Sequence, residues 1–288
     1  MNTLSTTKRT TKSLKTPLRY PGGKSRAVSK LFQYFPDLSD YREYREPFLG
    51  GGSVALEVSR RYPYMPVWVN DLYGPLYDFW TILQQFPEQL RAHILHFKNT
   101  ADTTEASREL FKISKDILSD PATGQFERAV RFYIVNKCSF SGLTESSSFS
   151  EQASVSNFSV TGIEKLPEYS ELIQHWRITN LDYKSLMDCD RKVFMYLDPP
   201  YDIKDNLYGR KGSMHKSFDH DLFATNCNLN KNMPMCISYN SSNVVKDRFL
   251  SSGWTDAEFA HTYTMRSTGS YTMDQADRKE LVLINYES

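Results

Sequence analysis

Val193-Phe194-Met195-Tyr196-Leu197-Asp198-Pro199-Pro200-Tyr201 is the stretch whose reading decides the fold of this chain. Its first five residues are apolar and read as a buried strand of a parallel sheet. The run stops at a carboxylate, two prolines and a tyrosine. Ligands of open α/β sheets bind beyond the carboxyl ends of the strands, so Asp198 to Tyr201 stands where chemistry would stand. Pro200 pushes Pro199 towards an extended conformation, and neither proline offers an N–H. The Pro199 carbonyl is therefore held in a fixed direction with no local donor. Asp198 adds a second acceptor and Tyr201 a flat ring. Two acceptors and a stacking face would suit a planar amino group, such as the N6 amine of adenine. The competing reading is a strand followed by a Pro-Pro turn with a helix-capping Asp.

Around this stretch the chain has 288 residues, enough for one large domain or a domain with an inserted lobe. A hydrophobic content of 40% and a charged content of 24% are ordinary for a soluble globular protein. No apolar run is long enough to span a bilayer, and no stretch of signal-peptide type opens the chain. A cytoplasmic protein is expected. Cys138, Cys189, Cys227 and Cys236 lack metal-ligand or disulfide spacing and read as free thiols. The histidines show no paired spacing, so no metal is expected. The net charge of +1 hides an asymmetry: residues 1–35 hold eight basic side chains and no acidic one. Residues 1–15 read as a solvated basic tail; from Arg19 onward the pattern becomes specific.

Upstream, Leu18 to Lys24 is an extended piece entering a Gly-Gly turn, with Lys24 at the mouth and a helix expected from Ser25 to Phe35. Glu46-Pro47-Phe48-Leu49-Gly50-Gly51-Gly52-Ser53 is a Gly-rich strand-to-helix turn of the nucleotide-binding kind, followed by a helix to about Arg61. It lacks the third Gly of GxGxxG, so its ligand need not be a dinucleotide. Val67 to Asp71 reads as the next strand. Asp71 lies 21 residues beyond Gly50, where an acid can hold ribose hydroxyls or cap the following helix.

From Tyr77 to about Gln174 the strand–helix rhythm disappears. Helices are expected at residues 87–97, 105–118 and 125–136, and residues 138–158 read as a hairpin or irregular loops. A mostly helical lobe inserted in an α/β sheet accounts for this. Strands resume near Arg177 and at Val193. Residues 203–217, with Arg210 and Lys211, read as a mobile basic loop. A helix from Asp219 to Leu229, a strand at 235–239, a helix at 243–250 and two last strands complete the sheet.

Taken together, the chain resembles the Dam-type (D12 class) DNA adenine-N6 methyltransferases. Arg19 to Lys24, Glu46 to Val54, Asn136 to Leu143, Asp198 to Tyr201 and Arg278 to Tyr286 match the family's motifs in the family's order. The resemblance implies a Rossmann-like, seven-stranded methyltransferase sheet, mostly parallel, with an antiparallel closing strand. It implies a catalytic domain of residues 16–76 and 175–288 around a DNA target-recognition domain of residues 77–174. It implies a site-specific adenine-specific DNA methyltransferase (EC 2.1.1.72), using S-adenosylmethionine and no metal, releasing S-adenosylhomocysteine and acting on double-stranded DNA as a monomer or weak dimer, within a restriction-modification setting.

Asp198, Pro199, Pro200 and Tyr201 would be catalytic. Tyr20, Lys24, Phe48, Asp71, Asp182, Tyr183 and Asp198 would line the donor pocket, with Pro21, Gly22, Gly23, Glu46, Gly50, Gly52, Ser53 and Leu72 completing it. Arg19, Asn136, Lys137, Gly142, Leu143, Glu145, Arg210 and Lys211 would meet DNA. Family members that read GATC carry Arg where Glu145 stands here, and Ser141 replaces the usual Asn. An Arg would pair with guanine, whereas Glu145 can only accept, for instance from cytosine N4. GATC or a related short site is expected. Competing readings are methylation of RNA or of a protein amide, and an inactive DNA-binding regulator. The protein-amide enzymes usually carry Asn before Pro-Pro-Tyr, so Asp198 counts against them.

Overall fold

The apolar run Val193–Leu197 is a strand in which all five residues are buried. Phe194 and Tyr196 join one hydrophobic core, and Val193, Met195 and Leu197 join another on the opposite side. The period-2 alternation of a strand thus feeds two layers at once. In this computed structural model the described residues are 15–20, 22–142, 147–188, 190–201, 218–260 and 279–287.

In chain order these residues form α1 (Val28–Leu31), β1 (Glu43–Glu46), α2 (Ser53–Arg61) and β2 (Val67–Asn70). Seven helices follow: α3 (Gly74–Gln85), α4 (Pro87–Thr100), α5 (Thr104–Ser119), α6 (Gln125–Cys138), α7 (Glu151–Ser156), α8 (Val160–Glu164) and α9 (Leu166–Ile173). Then come β3 (Trp176–Thr179), β4 (Val193–Leu197), α10 (His220–Leu229), β5 (Met235–Asn240), α11 (Asn243–Leu250), β6 (Thr255–Ala260) and β7 (Lys279–Ile284).

The strands make one seven-stranded sheet in the order β3-β2-β1-β4-β5-β7-β6. Pairings from β3 through β5 are parallel, and β7 runs antiparallel between β5 and β6. The chain winds outward from β1 in one direction and from β4 in the other. The β1–β4 junction is therefore the switch point at which open α/β sheets bind ligands. Glu46 ends β1 and Asp198 follows β4, so both carboxylates meet there. The expected α/β architecture, mostly parallel with an antiparallel closing strand, is the one observed.

α10 and α11 cover one face through Phe223 and Phe249. The other face is covered by α1, α2 and the helices between β2 and β3. Phe79 and Trp80 of α3 and Phe132 and Tyr133 of α6 belong to the same core as Tyr44 and Val69 of the sheet. α6 is the axis of this insert, buried continuously from Ala129 to Asn136.

Three expectations change. The helix after Lys24 is shorter, a single 3-10 turn leading into Val28–Leu31. Pro36 shortly afterwards cannot continue a helix. Ser139 and Phe149 do pair in one bridge, but α7 occupies Glu151–Ser156, inside the stretch up to residue 158 where a hairpin or irregular loops are expected, and α8 and α9 follow it. Ser150 and Ser159 accept from Ala153 N–H and Gly162 N–H as N-caps of α7 and α8, a signal the serine-rich composition masked. The expected basic loop at 203–217 lies outside the described residues.

Candidate active site

The site begins with the turn after β1. Gly52 takes φ +69°, and a Cβ there would sit 2.7 Å from the Trp80 ring. Only glycine permits both that backbone and that contact. Trp80 Nε1–H in turn donates to the Gly50 carbonyl at 3.2 Å, fixing the turn from below. Asp71 fixes it from the side: its Oδ2 accepts from Gly50 N–H at 2.9 Å and its Oδ1 from Tyr73 N–H at 3.0 Å. Burial pushes the Asp71 carboxyl up to about 6, against these two hydrogen bonds. Asn70 joins the neighbouring loops. Its amide donates to the carbonyls of Pro47 and Leu181, at 3.1 and 2.9 Å, and its oxygen accepts from Leu181 N–H.

These elements enclose a cavity of about 310 Å³ at the carboxyl edge of the sheet. Tyr20, Gly22, Gly23, Lys24, Glu46, Phe48, Gly50, Gly52, Ser53, Asp71, Leu72, Asp182, Tyr183 and Asp198 all line it, as do Pro199, Pro200 and Tyr201. The expected donor-pocket residues that lie among the described residues thus converge on one space. Pro21 lies outside them. Phe48 and Tyr183 stack at 5.5 Å between ring centroids, and Leu72 stands at the rim, 61% exposed.

Lys24, expected at the mouth, is instead buried at the centre, 3% exposed. Its ammonium donates to Asp198 Oδ1 at 2.8 Å, to the Tyr201 hydroxyl at 2.7 Å and to the Gly22 carbonyl at 3.0 Å. Glu280 Oε1, arriving on β7, lies 3.3 Å away and accepts from the Tyr201 hydroxyl at 2.5 Å. Burial opposes the Lys24 charge, but Asp198 and Glu280 outweigh it and hold the ammonium above the usual lysine range. Burial and the Glu280 charge push the Asp198 carboxyl up to about 6, with Lys24 pulling the other way. Glu46 is raised well above the carboxylate range by burial and by Asp198, against the Tyr44 hydroxyl that donates to it at 2.6 Å. The Tyr201 ring stacks on Tyr239 at 5.9 Å. Among the described residues none donates to the Pro199 carbonyl. Asp198 pairs with a lysine, and among the described residues no helix N–H donates to its carboxylate.

The residues expected to meet DNA form a second cluster. Asn136 is fully buried, and its amide is engaged by backbone. Oδ1 accepts from Arg19 N–H at 2.9 Å, and Nδ2 donates to the carbonyls of Arg19 at 2.6 Å and Gly142 at 2.9 Å. Gly142 has φ +75°, and a Cβ there would lie 2.4 Å from the Arg19 carbonyl oxygen. Arg19 Nη1 donates to the Ser139 carbonyl at 2.7 Å. Burial and the neighbouring Arg19 bring the Lys137 ammonium down to about 8. Phe140 stands beside this cluster, 50% exposed. Leu143, Glu145, Arg210 and Lys211 lie outside the described residues. Reasoning from sequence missed Asn70, Trp80, Tyr239 and Glu280. The Arg278–Tyr286 match pointed at the strand that carries Glu280 but not at its role.

A doubly wound sheet with a glycine turn at the switch point, and an Asp-Pro-Pro-Tyr segment beside it, defines a nucleotide-handling α/β enzyme. Residues 20–266 match the family model of the D12 class N6 adenine-specific DNA methyltransferases, and the chain belongs to that family. It is similar to the type II methyltransferase M.MjaIII of Methanocaldococcus jannaschii, 22% identical over 196 residues, covering 64% of this chain and 68% of that protein. It is also similar to the type II methyltransferase M1.LlaDCHI of Lactococcus lactis subsp. cremoris, 23% identical over 210 residues, covering 70% and 71%. No helix among the described residues is long and apolar enough to cross a membrane.

Proposed function

We propose that this chain is a site-specific DNA adenine-N6 methyltransferase that uses S-adenosylmethionine and acts on an adenine turned out of duplex DNA. The observation that carries the reading is the cavity itself, where a glycine turn, two strand-end carboxylates and Asp198 to Tyr201 share one space. The fit to the donor rests on the donor set: Asp71 and Asp182 for hydroxyl or amino groups, Phe48, Leu72 and Tyr183 as apolar walls, and a backbone at Gly50 and Gly52 with no side chain in the way. When bound, the donor supplies a methyl group already activated by a sulfonium charge.

The chain's own residues then have to position, desolvate and accept hydrogen bonds. Adenine N6 is a poor nucleophile because its lone pair is delocalised into the ring. Asp198 and the Pro199 carbonyl, accepting from its two N–H groups, would favour a pyramidal nitrogen. Asp198 must be ionised to do so, and a carboxyl near 6 meets that condition at neutral pH. Tyr201 offers the extruded base a ring, and extrusion is required because N6 chemistry cannot occur inside the stack.

Arg19, Lys137 and the segment leading to Glu145 are assigned to the DNA, with a recognition sequence of GATC or a related short site. Duplex DNA, RNA and protein incubated with donor carrying a labelled methyl should take up label in the DNA alone. Sequencing DNA from expressing cells should find N6-methyladenine at one short site. Label in RNA or protein, or in none of the three, would overturn the proposal.

A further inference from the structure

Glu280 is the second residue of β7, and its side chain is fully buried. The residues after it, Leu281, Val282 and Leu283, are buried and apolar. A buried carboxylate is costly unless it is paired and hydrogen-bonded, and an apolar residue would serve the strand equally well. Two of the partners that offset this cost, Lys24 and Tyr201, line the cavity. Glu280 accepts from the Tyr201 hydroxyl at 2.5 Å and lies 3.3 Å from the Lys24 ammonium, which itself donates to Asp198 at 2.8 Å. We infer that Glu280 is a positioning residue of the methyl-transfer site, acting through Lys24 and Tyr201 to set how strongly Asp198 holds its negative charge. The inference rests on the assignment of Asp198 as the group that receives the adenine amine.

The charges around Asp198 explain how this works. Lys24 faces it from the N-terminal segment, Glu46 from β1, Tyr196 from β4, Tyr201 from the loop beyond β4, and Glu280 from β7. Burial and the Asp198 charge raise the Glu46 carboxyl well above its usual range, which disfavours its charge. One ammonium is then shared between two carboxylates. Asp198 receives part of its neutralisation and keeps its basicity, so it remains a strong acceptor while still ionised. Without the Glu280 charge, Lys24 would serve Asp198 alone and hold its proton affinity lower. Without the Tyr201 hydroxyl, Glu280 would lose a donor and draw more on Lys24, leaving less of the ammonium for Asp198, and the proton affinity of Asp198 would rise.

The test compares Glu280→Gln, which keeps an acceptor for the Tyr201 hydroxyl, with Tyr201→Phe, which keeps the ring. The free protein, labelled with ¹³C at aspartate carboxyls and assigned with Asp198→Asn, reports the Asp198 titration directly. Its midpoint should move down by about one pH unit in Glu280→Gln and up in Tyr201→Phe. The acid limb of single-turnover methylation should move in the same two directions. A general loss of stability would move neither. An unmoved or rising midpoint in folded Glu280→Gln overturns the inference. Should Glu280→Gln fail to fold, Tyr201→Phe decides, and an unmoved or falling midpoint there overturns it. The titration needs neither donor nor DNA, so a wild-type chain that methylates no adenine would sink the proposed function while leaving this measurement readable.

Discussion

At the carboxyl edge of the sheet, residues far apart in sequence turn their functional groups into one cavity. In the cluster where Arg19 meets the end of α6, Asn136 turns away from solvent and is engaged by backbone on three sides, while Arg19 and Lys137 beside it are half-buried. The two regions differ in what fixes a side chain's direction. A strand end is fixed by sheet topology, so a polar residue directly after an apolar run points into the switch-point crevice. A helix residue is fixed by how its helix packs, and α6 packs on nearly every side. Polar residues of the first region can therefore be expected to act on a ligand. Asn136 in the second acts on the protein, holding the Arg19 segment and the Gly142 turn in one arrangement.

The sharpest way to break this contrast is at Asp198. Asp198→Ala should slow single-turnover methylation by several orders of magnitude while duplex DNA binding stays near wild type, because its hydrogen bond gains most as N6 pyramidalises. A near-normal rate would make the segment after β4 a mere turn. Asn136→Ala should have the opposite signature. Removing a buried amide strands three backbone groups, and thermal or denaturant unfolding should show a loss of about 2–4 kcal/mol. DNA affinity should fall with it, while donor affinity measured by calorimetry holds. Equal loss of donor and DNA binding would erase the distinction between the regions.

The smallest effect concerns Asp71. Its carboxyl rises from 3.8 to about 6 on folding, so the native state binds this proton more tightly than the unfolded chain. Its favourable contribution is complete below pH about 4 and is lost as pH climbs through about 6. Asp71→Asn removes that dependence. The stability of the variant relative to wild type should improve by on the order of 1–3 kcal/mol between pH 4 and pH 7, read from urea unfolding at each pH. A pH-independent difference would mean that folding leaves the proton affinity of Asp71 unchanged.

Much of this was legible because strands announce themselves by composition and their ends by punctuation. Val193 to Tyr201, the glycine turn before Ser53 and the acid after Val69 each carry their signal locally. Helix limits at Ser53–Arg61 and Asn243–Leu250 were equally plain. Glu280 was not, because its meaning depends on β7 entering the sheet between β5 and β6 and delivering a carboxylate to a lysine near the other end of the chain. Lys24 was legible only as a pocket residue at the mouth of a glycine turn, not as a buried ion-pair centre, for the same reason: its partners lie on or after distant strands. Asn136 carried an ambiguous signal, since a helical Asn reads the same whether it faces water or backbone. The short helices after Ser150 were hidden by small polar residues, whose caps resemble loop chemistry.

The placement of β7 also bears on when the molecule becomes able to work. Lys24 lies 174 residues before Asp198, and Tyr201 lies 79 residues before Glu280. During synthesis β1, β2 and β4 can leave the ribosome and pair while Lys24 still lacks its second carboxylate. Contacts of such long range close late and slowly. A nascent or interrupted chain ending before Glu280 would hold a lysine–aspartate pair without its second carboxylate and a Tyr201 hydroxyl without its acceptor, with its sheet edge open at β5. Of the seven strands in this sheet β7 is made last, and it brings the carboxylate that completes the Lys24 cluster, so competence arrives only when the sheet is complete.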